Sequence, residues 1–217
     1  MKSHEQKYGI FLSQIELGAL GTNCYCFPIE GGCVVIDPAI QSPILTNWIS
    51  ANIKGGKLHI YLTHGHFDHI GGVNSLLDSF PNSQVYIYSP DFEFLSDPSL
   101  NLSALGGLVI NVKDLTKVQK VNNNESIING KLKVLALPGH TPGCSGLYDE
   151  QNGLIFEGDT LFNGGIGRTD FPKGNHEEIQ KSIKNVLFKL PPSTVVFPGH
   201  GPSTTIAAES ANNSLFY

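Results

Sequence analysis

The chain has 217 residues, a length that predicts a single domain over residues 1–217 with a core large enough to fold without disulfides. Hydrophobic residues make up 40% and charged residues only 15% of the chain, without a like-charge block, which excludes a disordered tail protein and a charged coiled coil. The net charge is −5 and the basic residues form no stripe, so we expect no binding to nucleic acid. The N-terminus lacks the apolar core of a signal peptide, and no apolar run approaches the ~20 residues of a membrane span. We therefore predict a cytoplasmic protein that does not bind a membrane.

The first half of the chain predicts strands that alternate with helices. Strands are predicted over residues 11–16, 23–29, 33–36, 58–62 and 85–88. Helical spacing predicts a helix over 43–53, which begins after the N-cap Ser42, and a second helix over 69–77. Residues 90–116 are polar and contain proline, and they support no assignment.

The second half begins with an Asn129-Gly130 turn, which predicts a hairpin. Further strands are predicted over residues 132–137, 146–148, 153–157 and 194–197. The stretch 175–188 has the clearest amphipathic pattern in the chain, because its apolar residues form one stripe at helical spacing. We therefore predict a helix there that packs on a sheet.

Four of the apolar strands end in a loop that carries His or Asp. These strand ends lie at residues 62–69, 137–140, 157–159 and 197–200. Loops that are held by a buried sheet are where a rigid scaffold presents functional side chains. Because strands dominate both halves and helices are interspersed, the pattern predicts an α/β fold, a sandwich of two packed sheets with outer helices.

The first of these loops has the sequence His-Gly-His-Phe-Asp-His at residues 64–69. Imidazole and carboxylate are the ligands expected for zinc, and also for iron and manganese. His64 and His66 are two residues apart and can face one ion, while Asp68 and His69 turn to another. The spacing therefore favours two metal ions over one.

Two ions held ~3.5–4 Å apart need a bridging carboxylate and about three further ligands each. The other three strand ends supply the missing groups. These are His140, Asp159 and His200. The sequence thus predicts one metal site built from four strand-end loops.

These motifs resemble those of the metallo-β-lactamase superfamily, and within it those of the glyoxalase II (hydroxyacylglutathione hydrolase) group in its short bacterial form. The segments that carry the resemblance are Thr-His-Gly-His-Phe-Asp-His at 63–69, Gly-His-Thr-Pro-Gly at 139–143, Gly-Asp-Thr-Leu-Phe at 158–162 and Pro-Gly-His-Gly-Pro at 198–202. The resemblance runs from about Gly21 to Glu209. It implies a four-layer αββα sandwich of two mixed sheets with outer helices, and a site at the edge where the loops of both sheets meet.

The resemblance also implies a role for each of the seven metal-ligating residues. The first ion would be held by His64, His66 and His140, the second by Asp68, His69 and His200, and Asp159 would bridge the two. The cofactors predicted in this way are two divalent metal ions, with zinc as the first choice and iron or manganese as alternatives.

The residues and the resemblance indicate the same chemistry. Two cations lower the pKa of a bridging water, so that hydroxide is present at neutral pH to attack the carbonyl of an ester, a thioester or an amide. Asp68 has two roles open to it: a ligand that orients the metal and the water, or a catalytic acid–base that takes the proton of the nucleophile. The predicted function is a dinuclear hydrolase that acts on a small-molecule thioester of the hydroxyacylglutathione type.

Arg168 is the only arginine of the chain. Its fixed fork of donors suits an anionic substrate group, and in glyoxalase II-like proteins a basic residue at this place contacts glutathione, so the resemblance implies a substrate-binding role. A structural ion pair with Asp170 is an equal alternative. The longer enzymes of the group carry a C-terminal helical domain with more basic residues, which we expect to be absent here, and a thioester other than glutathione's is therefore also open.

Three other functions are alternatives to the hydrolase. Persulfide dioxygenases share the implied fold and the Gly-Arg-Thr-Asp-Phe stretch of residues 167–171, and they use one iron held by two His and one Asp. In this chain those ligands would be His64 or His66, His140 and Asp159. The Gly-His-Gly-Pro of residues 199–202 resembles the hydrolase instead. A non-enzymatic metal-binding module would not need seven ligands, and a β-lactamase implies secretion, which the N-terminus does not support.

Overall fold

The structure, a computed structural model, describes residues 2–3, 10–213 and 215. Its strands are β1 (Lys2–Ser3), β2 (Ser13–Leu17), β3 (Thr22–Ile29), β4 (Gly32–Ile36), β5 (Lys57–Leu62), β6 (Ser83–Tyr88), β7 (Val118–Val121), β8 (Ser126–Ile127), β9 (Leu132–Ala136), β10 (Ser145–Asp149), β11 (Leu154–Gly158), β12 (Leu161–Phe162), β13 (Gly165–Ile166), β14 (Val195–Pro198) and β15 (Thr204–Thr205). Its α-helices are α1 (Pro43–Asn52), α2 (Phe67–Ile70), α3 (Val73–Ser79), α4 (His176–Asn185) and α5 (Ile206–Asn212). Turns of 3₁₀ helix lie at Ser89–Leu95, Ser103–Gly106, Leu115–Lys117 and Leu187–Lys189.

Two mixed sheets form the centre of the fold. The first runs in chain order from β1 to β7, with antiparallel neighbours up to β4 and parallel neighbours from β4 onwards. The second has the order β15-β14-β11-β10-β9-β8, in which β11 and β14 are parallel and the other neighbours are antiparallel. Parallel neighbours end at the same edge of a sheet, so their following loops lie side by side.

Aromatic side chains fill the space between the two sheets. The ring centroid of Tyr25 on β3 lies 5.3 Å from that of Phe156 on β11 and 5.4 Å from that of Phe197 on β14. Phe27, also on β3, stacks on Phe156 with a centroid distance of 5.7 Å. These buried rings join the sheets face to face and form the central core.

Helices cover the outer face of each sheet. On the first sheet, α1 buries Leu45 and Ile49, and α3 buries Val73 and Leu76. On the second sheet, the apolar stripe of α4 is buried against the strands, as predicted for residues 175–188. The prediction of a four-layer αββα sandwich with two mixed sheets is confirmed.

The helix predicted over 69–77 is in fact two helices, α2 and α3, separated at Gly71 and Gly72. A Cβ atom on Gly71 would lie 2.3 Å from the carbonyl oxygen of Ala39, and one on Gly72 would lie 2.1 Å from that of Pro38. The chain therefore bends tightly against the loop after β4. Helical spacing cannot reveal this break, because the contact is with a segment distant in sequence.

The sequence pattern does not predict β7, β15, α5 or the hairpin of β12 and β13. The carboxylate of Glu209 on α5 accepts hydrogen bonds from the Gly164 N–H (3.0 Å), the Asn213 side-chain amide (3.0 Å) and the Thr204 hydroxyl (2.6 Å). These short elements are thus held by tertiary contacts and not by their own periodicity. The other predicted strands and helices are confirmed, with some shifts at their ends.

No helix within the described residues has the length and apolar character that crossing a membrane requires. The four cysteines, Cys24, Cys26, Cys33 and Cys144, are buried and form no disulfide. The single domain over residues 1–217 stays a prediction.

Candidate metal centre

The strand-end loops of both sheets converge at one edge of the sandwich. His64 and His66 follow β5, Asp68 and His69 lie on α2, His140 follows β9, Asp159 follows β11 and His200 follows β14. Two backbone contacts join the sheets at this edge: His200 forms an isolated β-bridge with Thr22, and the Ser145 N–H donates to the Thr63 carbonyl oxygen over 2.9 Å. All seven residues that the sequence predicts as ligands are brought together here.

Three imidazoles, those of His64, His66 and His140, form what we call the imidazole group. The Nδ1 atom of His66 lies 3.1 Å from Nε2 of His64 and 2.9 Å from Nε2 of His140. All three residues are buried. Their ring nitrogens therefore converge on one point, and they can hold a metal ion there.

Asp68, His69 and His200 form what we call the mixed group. Oδ2 of Asp68 lies 3.6 Å from Nε2 of His69 and 3.3 Å from Nε2 of His200. The Thr22 hydroxyl donates a hydrogen bond to the same Oδ2 atom over 3.1 Å. The His200 side chain is 28% exposed, so this group lies nearer to solvent than the imidazole group.

Asp159 lies between the two groups. Its Oδ2 atom is 3.7 Å from Nε2 of His140 and 3.5 Å from Nε2 of His200, and its Oδ1 atom is 3.6 Å from Nε2 of His69. A Cβ atom at Gly199 would lie only 2.2 Å from this Oδ1, so glycine is needed where the β14 loop passes the carboxylate. One carboxylate thus contacts both groups.

Hydrogen bonds at the outer ring nitrogen fix the orientation of the imidazoles. The Nδ1–H group of His140 donates to the carbonyl oxygen of Arg168 over 2.6 Å, and that of His200 donates to the carbonyl oxygen of Leu20 over 3.2 Å. Because Nδ1 carries the proton in these pairs, each Nε2 presents a lone pair to the centre.

Asp37 orients one ring from each group. Its Oδ2 atom accepts hydrogen bonds from Nδ1–H of His69 (2.9 Å) and from the Thr63 hydroxyl (2.7 Å). Because the Thr63 hydroxyl hydrogen is used in this way, its oxygen accepts from Nδ1–H of His64 over 3.2 Å. Sequence reasoning missed Asp37, although it directly follows the apolar strand β4, just as the predicted ligands follow other apolar strands.

Asp91 was also missed, because it lies in the segment without a predicted element. Its buried carboxylate accepts hydrogen bonds from the Gly65 N–H (2.9 Å), the Gly143 N–H (2.6 Å) and the Thr141 hydroxyl (2.7 Å). Burial raises the pKa of Asp91, and the three hydrogen bonds oppose that rise. Asp91 thereby ties together the two loops that carry the imidazole group.

The donor set fits divalent cations. At the centre, Nε2 of His69 and Oδ1 of Asp159 are buried and have no hydrogen-bond partner among the described residues. In the imidazole group, one proton can satisfy only one pair of the converging nitrogens, whereas a cation accepts every lone pair. Burial, together with the neighbouring His140, lowers the pKa of His66 to about 2, so this ring is a neutral donor at physiological pH.

The mixed group, by contrast, attracts positive charge. Burial alone would lower the pKa of His69, but Asp68, Asp37 and Asp159 raise it to about 10. Asp37 contacts Nδ1 of His69, whereas Asp68 and Asp159 both face Nε2, and a cation bound beside Nε2 would compensate these two charges. Both groups therefore suit metal ions, by different means.

A cavity of about 670 Å³ opens onto the metal centre. Five of the clustered residues form its floor: His66, Asp68, His140, Asp159 and His200. Its walls are largely apolar and include Leu20, Leu102, Leu105, Phe162, Ile166 and Phe171. This volume is in the range of small-molecule sites, so a substrate has direct access to the centre.

Arg168 is the only Lys or Arg among the described residues that line this cavity. Its Nε and Nη2 atoms each donate to the Asp170 carboxylate over 2.6 Å, and its guanidinium carbon lies 4.0 Å from the ring centroid of Phe171. The structural pair with Asp170, one of the two alternatives for Arg168, is thus present. The substrate-binding role of Arg168 stays a prediction.

The family model of the metallo-beta-lactamase superfamily matches residues 17–200. The chain belongs to the metallo-β-lactamase superfamily. Its relatives include the probable metallo-hydrolase YqgX of Bacillus subtilis, which is 34% identical over 92% of this chain and 94% of that protein. The hydroxyacylglutathione hydrolase GloC of Haemophilus influenzae is 32% identical, again over 92% of this chain and 94% of that protein.

Solved structures of the superfamily have the same fold. The B3 metallo-beta-lactamase BLEG-1 is 35% identical, with a TM-score of 0.85 over 94% of this chain and 98% of that one. TTHA1623, in a di-iron-bound form, is 34% identical, with a TM-score of 0.82 over 94% and 99% of the two chains. ETHE1 from Myxococcus xanthus is 28% identical, with a TM-score of 0.73 over 94% and 83%.

Membership of the metallo-β-lactamase superfamily confirms the resemblance and supports an enzyme of the hydrolase type. Superfamily members typically bind two metal ions, in agreement with the two groups of metal-binding side chains.

Cys144 lies four residues after the predicted ligand His140 in the chain. It is buried beneath the loop, where its Sγ atom accepts from the Thr141 N–H over 3.4 Å and lies 3.1 Å from the Thr141 hydroxyl oxygen. Burial raises the pKa of this thiol well above its ordinary value. Cys144 therefore packs the loop as a buried, protonated thiol.

Proposed function

We propose that the protein is a dinuclear metal-dependent hydrolase that cleaves a small-molecule thioester, with the hydroxyacylglutathione type as the first substrate class. The position of Asp159, in contact with both the imidazole group and the mixed group, carries this proposal. A carboxylate between two complete sets of donors is the arrangement that two closely spaced ions require.

In this proposal the imidazole group holds the first ion, the mixed group holds the second and Asp159 is shared. Zinc is the first choice, and iron and manganese suit the same donors. Two divalent cations held by these residues would lower the pKa of a bound water and would polarise a substrate carbonyl oxygen.

Asp68 is the proposed catalytic residue. Burial alone would raise its pKa, but His69 and His200 hold the pKa of this carboxyl well below its usual range. Asp68 is therefore ionised at neutral pH, the form in which a carboxylate binds a metal ion and orients a water; its role as acceptor of the water's proton is part of the proposal. The Thr22 hydroxyl, 3.1 Å from Oδ2, holds the carboxylate in that orientation.

The walls of the cavity position the substrate over these groups. Apolar side chains exclude water from the reacting carbonyl, which strengthens the electrostatic interactions at the centre. The 32% identity to GloC, a hydroxyacylglutathione hydrolase, over nearly the whole of both chains supports a thioester as the bond that is cleaved.

The test combines metal analysis with an assay of thiol release. We expect two metal ions per chain in protein reconstituted with zinc, and release of free thiol from S-lactoylglutathione and from simpler thioesters. Two bound ions with no thiol released from any of these thioesters would contradict the proposed substrate class.

A mononuclear iron persulfide dioxygenase is the second candidate, because residues 167–171 resemble the Gly-Arg-Thr-Asp-Phe stretch of that family. In such an enzyme the iron would be bound by two His and Asp159, and the mixed group would hold no ion. One iron per chain, with oxygen consumption when glutathione persulfide is added, would favour the dioxygenase over the hydrolase.

A further inference from the structure

The loop that carries His200 has small residues on both sides of the ligand. Gly199 and Gly201 offer no side chain that could pack the loop against the sheet. Within its own sheet the loop is held by the Gly199 N–H, which donates to the Gly158 carbonyl oxygen over 2.6 Å. The His200 side chain is 28% exposed, compared with 15% for Asp68 of the same group. The position of His200 therefore depends on contacts with other segments.

Asn23, on β3 of the other sheet, spans this loop. Its side-chain amide donates to the carbonyl oxygens of Pro198 (3.0 Å) and Gly201 (2.9 Å), which lie two residues before and one residue after His200. Its backbone N–H donates to the carbonyl oxygen of Gly199 over 2.7 Å. Asn23 is buried, so water does not compete for these donors. One residue of the first sheet thus holds the backbone on both sides of a ligand in the second.

The amide of Asn23 is itself held in one orientation. The side-chain amide of Gln14 donates to Oδ1 of Asn23 over 2.6 Å, so Nδ2 faces the loop. A primary amide has two donor hydrogens, and each has one carbonyl oxygen to bind here. Asn23 does not line the cavity, and it reaches the metal centre through the His200 loop.

The imidazole group is supported by a different residue. Asp91 accepts hydrogen bonds from both loops that carry this group, and Asn23 contacts neither of them. A change at Asn23 should therefore displace a ligand of the mixed group and leave the imidazole group in place.

We infer that Asn23 is a positioning residue that determines whether the mixed group is occupied. This inference rests on the proposed dinuclear function. Without the Asn23 amide, the protein keeps the ion in the imidazole group and loses the other at metal concentrations that fill both groups of the native chain.

The test measures zinc binding to metal-free protein by competition with a chromophoric chelator, which yields a dissociation constant for each ion. Asn23→Ala removes the amide, and Asn23→Leu removes it while keeping the branched shape, so that no cavity is left. We expect both variants to weaken one ion about tenfold to a hundredfold and to change the other by less than about threefold. The ion that is retained also shows that the variant is folded, because its ligands come from segments that are distant in the chain.

Asn74→Ala is the matched control. The Asn74 amide joins α3 to a distant segment in the same manner, since it donates to the Asn111 carbonyl oxygen over 2.7 Å and accepts from the Lys113 N–H over 2.9 Å. These contacts lie away from the metal centre, so both zinc constants should stay unchanged.

A double-mutant cycle with His200→Ala separates positioning of His200 from general support of the fold. If Asn23 acts through His200, the double variant should bind the second ion within about twofold of His200→Ala alone. Thiol release by Asn23→Leu should also recover when free zinc is raised about a hundredfold, because mass action refills a site whose affinity is lowered.

Three results would overturn the inference: unchanged constants for both ions in the two Asn23 variants, an equal loss of both ions, or additive losses in the cycle with His200→Ala. A single ion in the native protein at saturating zinc would contradict the dinuclear function and the inference with it. Two ions without thiol release would contradict only the proposed substrate class, and the zinc constants would still decide the role of Asn23.

Discussion

The metal centre and the cavity above it are built in different ways. The centre is formed at the ends of buried strands, and four of its imidazoles are held by a hydrogen bond at their outer nitrogen. The cavity wall comes from a 3₁₀ turn at Ser103–Gly106 and from the two-residue strands β12 and β13, with exposed leucines at the rim. The chemistry is thus carried by the rigid sheets, whereas the wall can change without disturbing the ligands.

The largest expected effect follows from removing the carboxylate between the two groups. Asp159→Ala should lose bound metal and reduce turnover by more than about a hundredfold, because both groups lose a donor. Elemental analysis and thiol release measure the two effects. Asp78→Ala on the surface of α3 should keep both properties, and retention of two ions by the Asp159 variant would contradict the shared position of this residue.

A smaller effect is expected when the ligands stay and their support is removed. Asp37→Asn replaces an acceptor by an amide beside His69 and Thr63, so metal affinity should fall about tenfold to a hundredfold. Competition with a chelator measures this affinity. Asp149→Asn is the matched control, because Asp149 is a buried strand-end carboxylate that binds Asn152 and not the centre. Equal chelator curves for both variants would show that Asp37 does not support the ligands.

Substitutions in the cavity wall should change substrate binding and leave metal binding unchanged. Ile166→Ala should raise the KM for an apolar thioester about threefold to tenfold through lost apolar contact, with metal content unchanged. Val118→Ala, at a half-buried position on β7 away from the cavity, should leave KM unchanged. A loss of metal from the Ile166 variant would contradict the separation of wall and centre.

The smallest effect is expected at Cys144, which packs beneath the site. Cys144→Ala should lower the free energy of unfolding by about 1 kcal/mol and leave turnover within about twofold, because the thiol is buried and does not line the cavity. Urea denaturation and the thioester assay measure the two properties. A variant as stable as the native protein but inactive would assign a chemical role to Cys144.

The sequence was sufficient to find the metal centre because each ligand follows an apolar strand, and the ends of such strands meet at a sheet edge. His140 and His200 are 60 residues apart in the chain, yet the same pattern marks both. Asp37 has this pattern too, but it lies outside the four segments that carry the family resemblance, whereas Asp159 lies in one of them. The role of Asp37 depends on Thr63 and His69, whose side chains only the folded structure places beside it.

The parts that could not be predicted depend on contacts between distant segments. The break at Gly71 and Gly72 results from the approach of the loop after β4, and α5 depends on the hydrogen bonds of Glu209. The pairing of Arg168 with Asp170 was foreseen only as an alternative, because a flexible side chain near a carboxylate can also extend into the cavity. Local periodicity carries no information about any of these contacts.

The position of Asp37 has a consequence for how the two ions are acquired. The carboxylate holds His69 of the mixed group directly and His64 of the imidazole group through the Thr63 hydroxyl, so the two rings share one support. An ion bound in either group makes this shared support more rigid, and this lowers the entropy cost of ordering the ring in the other group. By reciprocity each ion then favours binding of the other, and this coupling acts against the mutual repulsion of the two charges.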